Sequence, residues 1–337
     1  MIELMVAITI SLLLLTGLTS IYLSNSRSRA ELDKTTRQIE NGRYATALLA
    51  DDVRHSGFYG PMTTAPSLPG TVTALPDPCY TAIDGSADDI RSALGLPLQG
   101  YAGAATASAL DAKPMTCVKS ASAGYKPGTA VLVVRRIATT AGISAGNYNM
   151  QVSSCPGDPA PGWVMSKVAG DFTMRKNVPG SGCTPALTSA NTADIVPYFV
   201  HIYYISTCSG TDCTATGAVA MPTLKRIDLT VSGGTAVMSD PIPLVDGIDN
   251  LQFEYGIDNN SDGAPDAYSY TPTFANWPNV MSVRIILLSR STEPTTGYVD
   301  AKTYQLGSVT VTAPGDAYKR HAYSELVRLN NPAGRRE

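Results

Sequence analysis

The chain begins with an unbroken apolar run, and the residues after it follow a helical pattern of apolar and polar positions. Residues 2–23 contain one charged side chain, Glu3, and as a helix they are long enough to cross a bilayer, which takes roughly 20 residues. Residues 24–56 lack proline and keep the helical period. Their apolar stripe consists of Leu32, Ile39, Thr46, Leu49 and Val53. The pattern predicts one continuous helix, half in lipid and half packed on a domain, which ends near Gly57.

After residue 129, short runs rich in β-branched and aromatic residues replace the helical pattern. The predicted strands are Ala130–Ile137, Val196–Ser206, Leu224–Val231, Leu251–Ile257, Val280–Leu288, Ser308–Thr312 and His321–Leu329. The sequence Ser232-Gly233-Gly234-Thr235 predicts a hairpin turn. Strands at this spacing after one long helix predict an α+β fold, with the helix packed on one or more antiparallel sheets.

The same patterns divide the chain into four parts. Residues 1–24 are the membrane half of the helix, and residues 25–56 are its amphipathic half. Residues 57–128 are poor in charge and rich in small residues and proline, which predicts a loop-rich insertion. Residues 129–337 are the antiparallel β domain.

Composition and cysteine number indicate an exported protein. The net charge of −3 argues against a nucleic-acid partner. Six cysteines without metal-type spacing favour disulfides in an oxidising compartment, over free thiols or a zinc site. Six cysteines allow 15 pairings. We predict the sequential one because its loops are smallest: Cys79–Cys117, Cys155–Cys183 and Cys208–Cys213.

The N-terminal run does not have the form of a cleaved signal peptide, because no basic residue precedes it and no small-residue cleavage site follows. A plain membrane anchor with an idle acid remains an alternative. A carboxylate at the centre of an inserted helix costs about 2.5–3.5 kcal/mol, and less near an end. Glu3 is therefore a functional-site hypothesis.

The run Ile2-Glu3-Leu4-Met5-Val6-Ala7-Ile8 resembles the N-terminus of type IV pilins and type II secretion pseudopilins. The family's Gly, Phe and Thr before this run are absent, so we expect Met1 to be an internal methionine of a longer precursor. Basic residues follow the apolar run and none precede it, which by the positive-inside rule would put the domain in the cytoplasm. An upstream basic leader would remove this conflict with the cysteines.

Residues 244–258 resemble a run found in PilW-type minor pilins, as do Trp277, residues 283–285 and residues 52–60. The resemblance implies that Glu3 meets the N-terminal amine of a neighbouring subunit in the filament core. It implies a non-catalytic minor pilin that starts pilus assembly at the tip. The implied partners are other minor pilins, the major pilin and a tip adhesin. The protein would wait in the bacterial inner membrane, with its domain in the periplasm, before it joins the extracellular pilus.

Two other functions remain open at this stage. One is a minor pseudopilin of type II secretion, and the other is a membrane-anchored calcium-binding surface adhesin. We expect no enzyme, because the three histidines are far apart in sequence and no catalytic or phosphate-binding motif is present.

One loop has the spacing of a calcium site. Oxygen ligands would come from the side chains of Asp258, Asn260, Asp262 and Asp266 and from the backbone carbonyl of Ala264. Ser269 stands where an EF-hand has its bidentate Glu, so we expect weak binding, with a dissociation constant on the order of 10⁻⁴–10⁻³ M. The alternative is a turn held by its own Asx side chains.

Overall fold

The computed structural model describes the whole chain except residues 63–65, 71, 105, 107–109, 111–114, 181, 184–185 and 313. Three helices lie in the described residues: α1 Ile2–His55, α2 Thr116–Lys119 and α3 Asn330–Gly334. The strands are β1 Leu98–Tyr101, β2 Val131–Ile137, β3 Asn149–Val152, β4 Trp163–Ser166, β5 Ile195–Ser206, β6 Thr223–Ser232, β7 Thr235–Met238, β8 Ile242–Asp246, β9 Ile248–Ile257, β10 Ala267–Ser269, β11 Val280–Arg290, β12 Tyr304–Leu306, β13 Val309–Val311 and β14 Arg320–Arg328.

The described strands form three antiparallel sheets. The first has the order β1-β2-β5-β3-β4, and β6 joins it by pairing with β5, β7 and β8. The second has the order β10-β9-β11-β14, and β12 pairs with β13. Gly233 and Gly234, in the turn between β6 and β7, both have positive φ, as a two-residue hairpin of the primed type requires. The predicted fold class is confirmed: one long helix packs on antiparallel sheets.

The first sheet is buried on both faces. Leu132 and Val134 point into a core shared with α1 and the second sheet, whereas Val131 and Val133 point into a second core. Side chains of a strand alternate between faces, so the unbroken apolar run of β2 reflects this double burial. The far core is covered partly by residues from the segment 57–128, which also supplies β1 to the sheet.

The second half of α1 packs through small residues. Its buried residues are Gln38, Gly42, Ala45, Thr46, Leu49, Ala50, Asp52 and Val53. A Cβ on Gly42 would lie 2.2 Å from the ring of Tyr323 in β14, so only glycine allows this contact. The predicted apolar stripe of α1 was wrong at its N-terminal end, because Leu32 and Ile39 are 68% and 39% exposed. The face that packs is the one where side chains are short enough for the helix to approach the sheet.

A buried carboxylate joins α1 to the first sheet. Asp52 accepts hydrogen bonds from His201 Nδ1 at 2.7 Å, Tyr203 Oη at 2.9 Å and Arg136 Nε at 2.6 Å. Burial alone would raise the pKa of Asp52, but the hydrogen bond and charge of His201 and the guanidinium of Arg136 outweigh it and hold that pKa well below its usual range. Asp52 is therefore a fixed negative charge at the helix–sheet contact.

A second ionic cluster surrounds Arg320 in β14, whose side chain is 3% exposed. Its guanidinium contacts the carboxylates of Asp249 at 2.7 Å, Asp300 at 3.0 Å and Asp316 at 2.6 Å. Lys126 also pairs with Asp249. The cluster joins β9 and β14 to the loop before β12 and to the segment that leads into β2.

Further toward the N-terminus, a polar contact marks where α1 leaves the domain. Glu31 accepts hydrogen bonds from Lys319 Nζ at 2.9 Å and Thr295 Oγ1 at 2.7 Å. These bonds lower the pKa of Glu31 from its ordinary value of 4.5 to about 2. All described residues before Glu31 on α1 are exposed or only partly covered.

We expect Asp52→Ala to reduce the free energy of unfolding by about 3–5 kcal/mol, because the mutation leaves the partly buried guanidinium of Arg136 and the buried ring of His201 without their partner. The measurement is urea unfolding of the detergent-solubilised chain. Asp51→Ala is the control, since Asp51 is the exposed neighbour on the same helix and we expect it to change stability by at most about 1 kcal/mol. Equal losses in the two variants would contradict the role of the Asp52 cluster.

The Glu31 contact predicts a pH dependence. Its pKa is lower in the folded than in the unfolded chain, so its stabilisation is complete above about pH 4.5 and is lost as the pH falls toward 2. The difference in thermal stability between the native chain and Glu31→Gln is therefore expected to shrink over that interval. Asp33→Asn removes an exposed pair with Arg37 and serves as the control. A difference that stays constant from pH 7 to pH 2 would show that the ion pair is not its source.

Candidate functional site

The first half of α1 extends from the domain with its apolar side chains uncovered. Ile2, Met5 and Leu13 are 80%, 69% and 71% exposed, and the same holds along the run to Leu23. At 1.5 Å per residue the 54-residue helix is about 80 Å long. By length and composition it could cross a membrane, with a mean hydropathy of 2.2 in its most apolar window. Such a surface requires lipid or other apolar helices around it.

Four hydroxyl groups in this half are satisfied within the helix. Thr9, Ser11, Thr16 and Thr19 each donate a hydrogen bond to a backbone carbonyl three or four residues earlier, over distances of 2.7–3.1 Å. A helix in an apolar medium must satisfy its polar groups internally. Glu3 differs from these residues. Its carboxylate has no hydrogen bond or ion pair among the described residues and lies exposed in the first turn.

The predicted calcium loop connects β9 to β10 as a turn held by its own side chains. Asp258 accepts the backbone N–H groups of Asn260 at 3.1 Å, Ser261 at 2.6 Å and Gly263 at 2.9 Å. Asp262 accepts the N–H of Ala264 at 2.9 Å. These bonds are the Asx-turn pattern that was the alternative to calcium.

The side chains of Asn260 and Asp266 are also engaged. Asn260 Nδ2 lies 3.1 Å from Asp262 Oδ2 and 3.3 Å from Asp266 Oδ1. Asp266 Oδ2 accepts the N–H of Asn259 at 2.7 Å. Within the described part of the chain, no group of three or more His, Cys, Asp or Glu side chains is arranged to hold a metal ion. The arrangement favours the turn, and calcium binding stays a prediction.

A cation of the protein itself already contacts this loop. Arg336 Nη1 donates to Asp258 Oδ2 at 3.0 Å, and Arg336 Nη2 donates to the carbonyl of Pro278 and to Asn279 Oδ1. The carboxylate of Asp258 is fully buried. Burial would raise its pKa, but the N–H of Gly263 and the guanidinium of Arg336 outweigh it and lower the pKa. No local motif predicts this partner, since it lies 78 residues away in sequence.

The cysteines pair sequentially in the structure. Cys79 bonds to Cys117, Cys155 to Cys183 and Cys208 to Cys213, with Cα–Cα distances of 5.7, 5.6 and 5.5 Å. The first bond lies within the loop-rich segment that covers the first sheet. The third closes a short loop between β5 and β6.

The three histidines occupy separate environments. His201 lies in the Asp52 cluster, His321 stacks edge-on against Tyr323, and His55 contacts the carbonyl of Asp51 on its own helix. The sequence did not reveal the pairing of His201 with Asp52. A polar residue beside Leu49 and Val53 in the buried stretch of α1 was the available signal.

The C-terminal part of the chain is similar to a known protein family. Residues 202–331 match the family model of PilW, the type IV pilus-assembly protein W. This segment is PilW-like. It includes residues 244–258, Trp277 and residues 283–285, and the match confirms the predicted resemblance there, whereas residues 52–60 lie outside it.

A solved structure of low sequence identity is also similar to part of this chain. A type IV-like pilin from Thermus thermophilus is similar in structure, at 11% identity over 60% of this chain and 78% of that chain, with a TM-score of 0.29. No curated protein matches the sequence. The connection with type IV pili rests on the PilW match.

Removal of Arg336 tests the loop directly. If the five predicted ligands can hold Ca²⁺, Arg336→Gln frees the Asp258 carboxylate from its present counter-ion, and calcium should bind more tightly than in the native chain. Titration calorimetry with millimolar CaCl₂ measures the change. Arg328→Gln, which removes a surface pair with Glu337, is the control. Absence of binding in all three proteins would leave the loop as a self-bonded turn.

Proposed function

We propose that this protein is a minor pilin of the PilW type that takes part in starting type IV pilus assembly and sits at the pilus tip, with no catalytic role. The observation that carries the proposal is the division of α1. One half is buried in a PilW-like domain, and the other half exposes an apolar surface of membrane length. A protein built this way can remain in a bilayer and later exchange lipid for the helices of neighbouring subunits.

Glu3 supplies the specificity of that exchange. In an apolar medium an unpaired carboxylate is costly, and a pair with a neighbouring cation recovers part of that cost. The N-terminal amine of an adjacent subunit is such a cation. Glu3 therefore favours a position of the new subunit at which this pair forms.

The domain fits an oxidising compartment. All six cysteines are paired, which favours a periplasmic and then extracellular location. On this proposal the protein is a single-pass protein of the inner membrane before assembly. Its partners are other minor pilins, the major pilin and a tip adhesin.

We expect Glu3→Ala to reduce recruitment into the minor-pilin complex by about tenfold or more, the effect of losing 1.4 kcal/mol of docking free energy. The measurement is co-purification of other pilins from membranes of cells that carry the variant at its own locus, together with the number of surface pili. Glu40→Ala is the control, since Glu40 lies exposed on the domain half of the same helix.

Both variants should remain in the membrane fraction, because the apolar run is unchanged. If Glu3→Ala is recruited as well as the native chain, the docking role of Glu3 is wrong. If the native chain co-purifies with components of type II secretion and with no pilus subunit, the pilus assignment is wrong.

A further inference from the structure

A lysine side chain lies against one of the three disulfides. Lys225 is fully buried, and its Nζ lies 3.3 Å from the Sγ of Cys208 and 3.5 Å from the Sγ of Cys213. Buried lysines are rare unless they are paired with an acid. Among the described residues Lys225 forms no ion pair, so the disulfide sulfurs are the groups that face its amine.

The buried Lys225 lies in a strand that has neighbouring strands on both sides. Lys225 lies in β6, opposite Tyr204 of β5 and Pro243 of β8. Burial lowers the pKa of Lys225, and the charges of Asp212 and Asp246 oppose that shift. Among the described residues neither acid forms an ion pair with the amine: Asp212 accepts a hydrogen bond from Thr214 Oγ1, and Asp246 accepts one from Thr223 Oγ1.

The chemical consequence concerns the reduced state. A cysteine beside a lysine has a lowered thiol pKa, because the ammonium stabilises the thiolate. A thiol of low pKa is also the better leaving group when its disulfide is attacked. With the disulfide intact the amine of Lys225 faces two uncharged sulfurs, whereas after reduction the same two positions can carry thiolates.

We propose that Cys208–Cys213 is a site of thiol–disulfide exchange, that its co-reactant is a dithiol, and that Lys225 stabilises the leaving thiolate. Cys213 is the more exposed residue of the pair, so attack is assigned to its Sγ, which also lies 3.1 Å from Ser206 Oγ, and Cys208 is the leaving side. The thiolate of the dithiol forms a bond to that sulfur, the Sγ–Sγ bond breaks, and its electron pair leaves on Cys208 beside Lys225 Nζ.

The second thiol of the co-reactant, after losing its proton, completes the exchange. It attacks its own partner sulfur in the mixed disulfide and releases Cys213 as a thiolate. The dithiol is thereby oxidised to a disulfide, and two electrons pass to the protein. The reverse sequence forms the bond again.

The other two disulfides provide internal references. Lys225 contacts neither of these two bonds, and their sulfurs have contacts of a different kind. The Sγ of Cys79 accepts the backbone N–H of Cys117, and the Sγ of Cys183 lies 3.9 Å from the carbonyl of Ser154. The effect of Lys225 is therefore expected at one bond of three.

The test is a redox titration of the full chain in detergent, in buffers of stated ratios of reduced to oxidised dithiothreitol. Alkylation and peptide mass spectrometry then give the reduced fraction of each cysteine pair. We expect Cys208–Cys213 to be reduced at the mildest ratio of the three. We expect Lys225→Met to shift its equilibrium with the dithiol about tenfold toward the disulfide, which is about 30 mV for this two-electron couple.

Lys126→Met is the matched control, because it removes a partly buried lysine that pairs with Asp249 and touches no sulfur. The proposal is overturned if Lys225→Met leaves the Cys208–Cys213 equilibrium unchanged, or if all three bonds shift alike in either variant. Should Lys225→Met fail to fold, the order of reduction in the native chain decides. Reduction of Cys208–Cys213 after either of the other bonds would contradict the proposal.

Discussion

The packing of residues 38–53 of α1 against both sheets determines the arrangement of the rest of the molecule. This stretch contacts β14 and β11 of the second sheet and β2 and β8 of the first, and its side chains fill the core between them. The contact with β14 is close because Gly42 has no side chain to separate the helix from Tyr323. Since α1 is continuous from Ile2 to His55, the direction of the exposed half is set by how this buried half is seated.

Buried charges make that seating specific. Apolar packing alone tolerates small rotations of a helix, whereas Asp52 must face its three donors on β2 and β5 or remain unpaired at a cost of several kcal/mol. The Arg320 cluster acts similarly between β9, β14 and the loop before β12. Replacing a buried ion pair by apolar residues is often neutral for stability, so we infer that these clusters serve to select one arrangement.

The sequence predicted the fold where local pattern and environment agree. The long strands β2, β5, β6, β9, β11 and β14 were predicted because β-branched and aromatic residues dominate them. The four-residue strands β1 and β3 were not predicted, because so short a run carries little pattern, whereas the three-residue β13 was predicted within Ser308–Thr312. The helix stripe failed at Leu32 and Ile39 because large apolar residues outweigh small ones in a hydropathy pattern, although Gly42 and Ala45 form the contact. In the candidate site, Glu3 stood out in the sequence as one acid in an apolar run. The contact of Arg336 with Asp258 and the contact of Lys225 with Cys208 could not be predicted, because the fold brings these residues together from different parts of the chain.

In the proposed assembly, the apolar half of α1 and Glu3 would determine different properties. Burial of the apolar surface is nondirectional, so two such helices that slide past each other by one residue, about 1.5 Å, lose little contact area. The run from Ile2 to Leu23 can therefore provide affinity for lipid or for other helices but cannot fix an axial position. A charge pair in an apolar medium weakens with distance and leaves a costly carboxylate if it is broken. Glu3 is the one charged side chain in this run, so in the proposed assembly the axial register of the helix would depend on what lies opposite it.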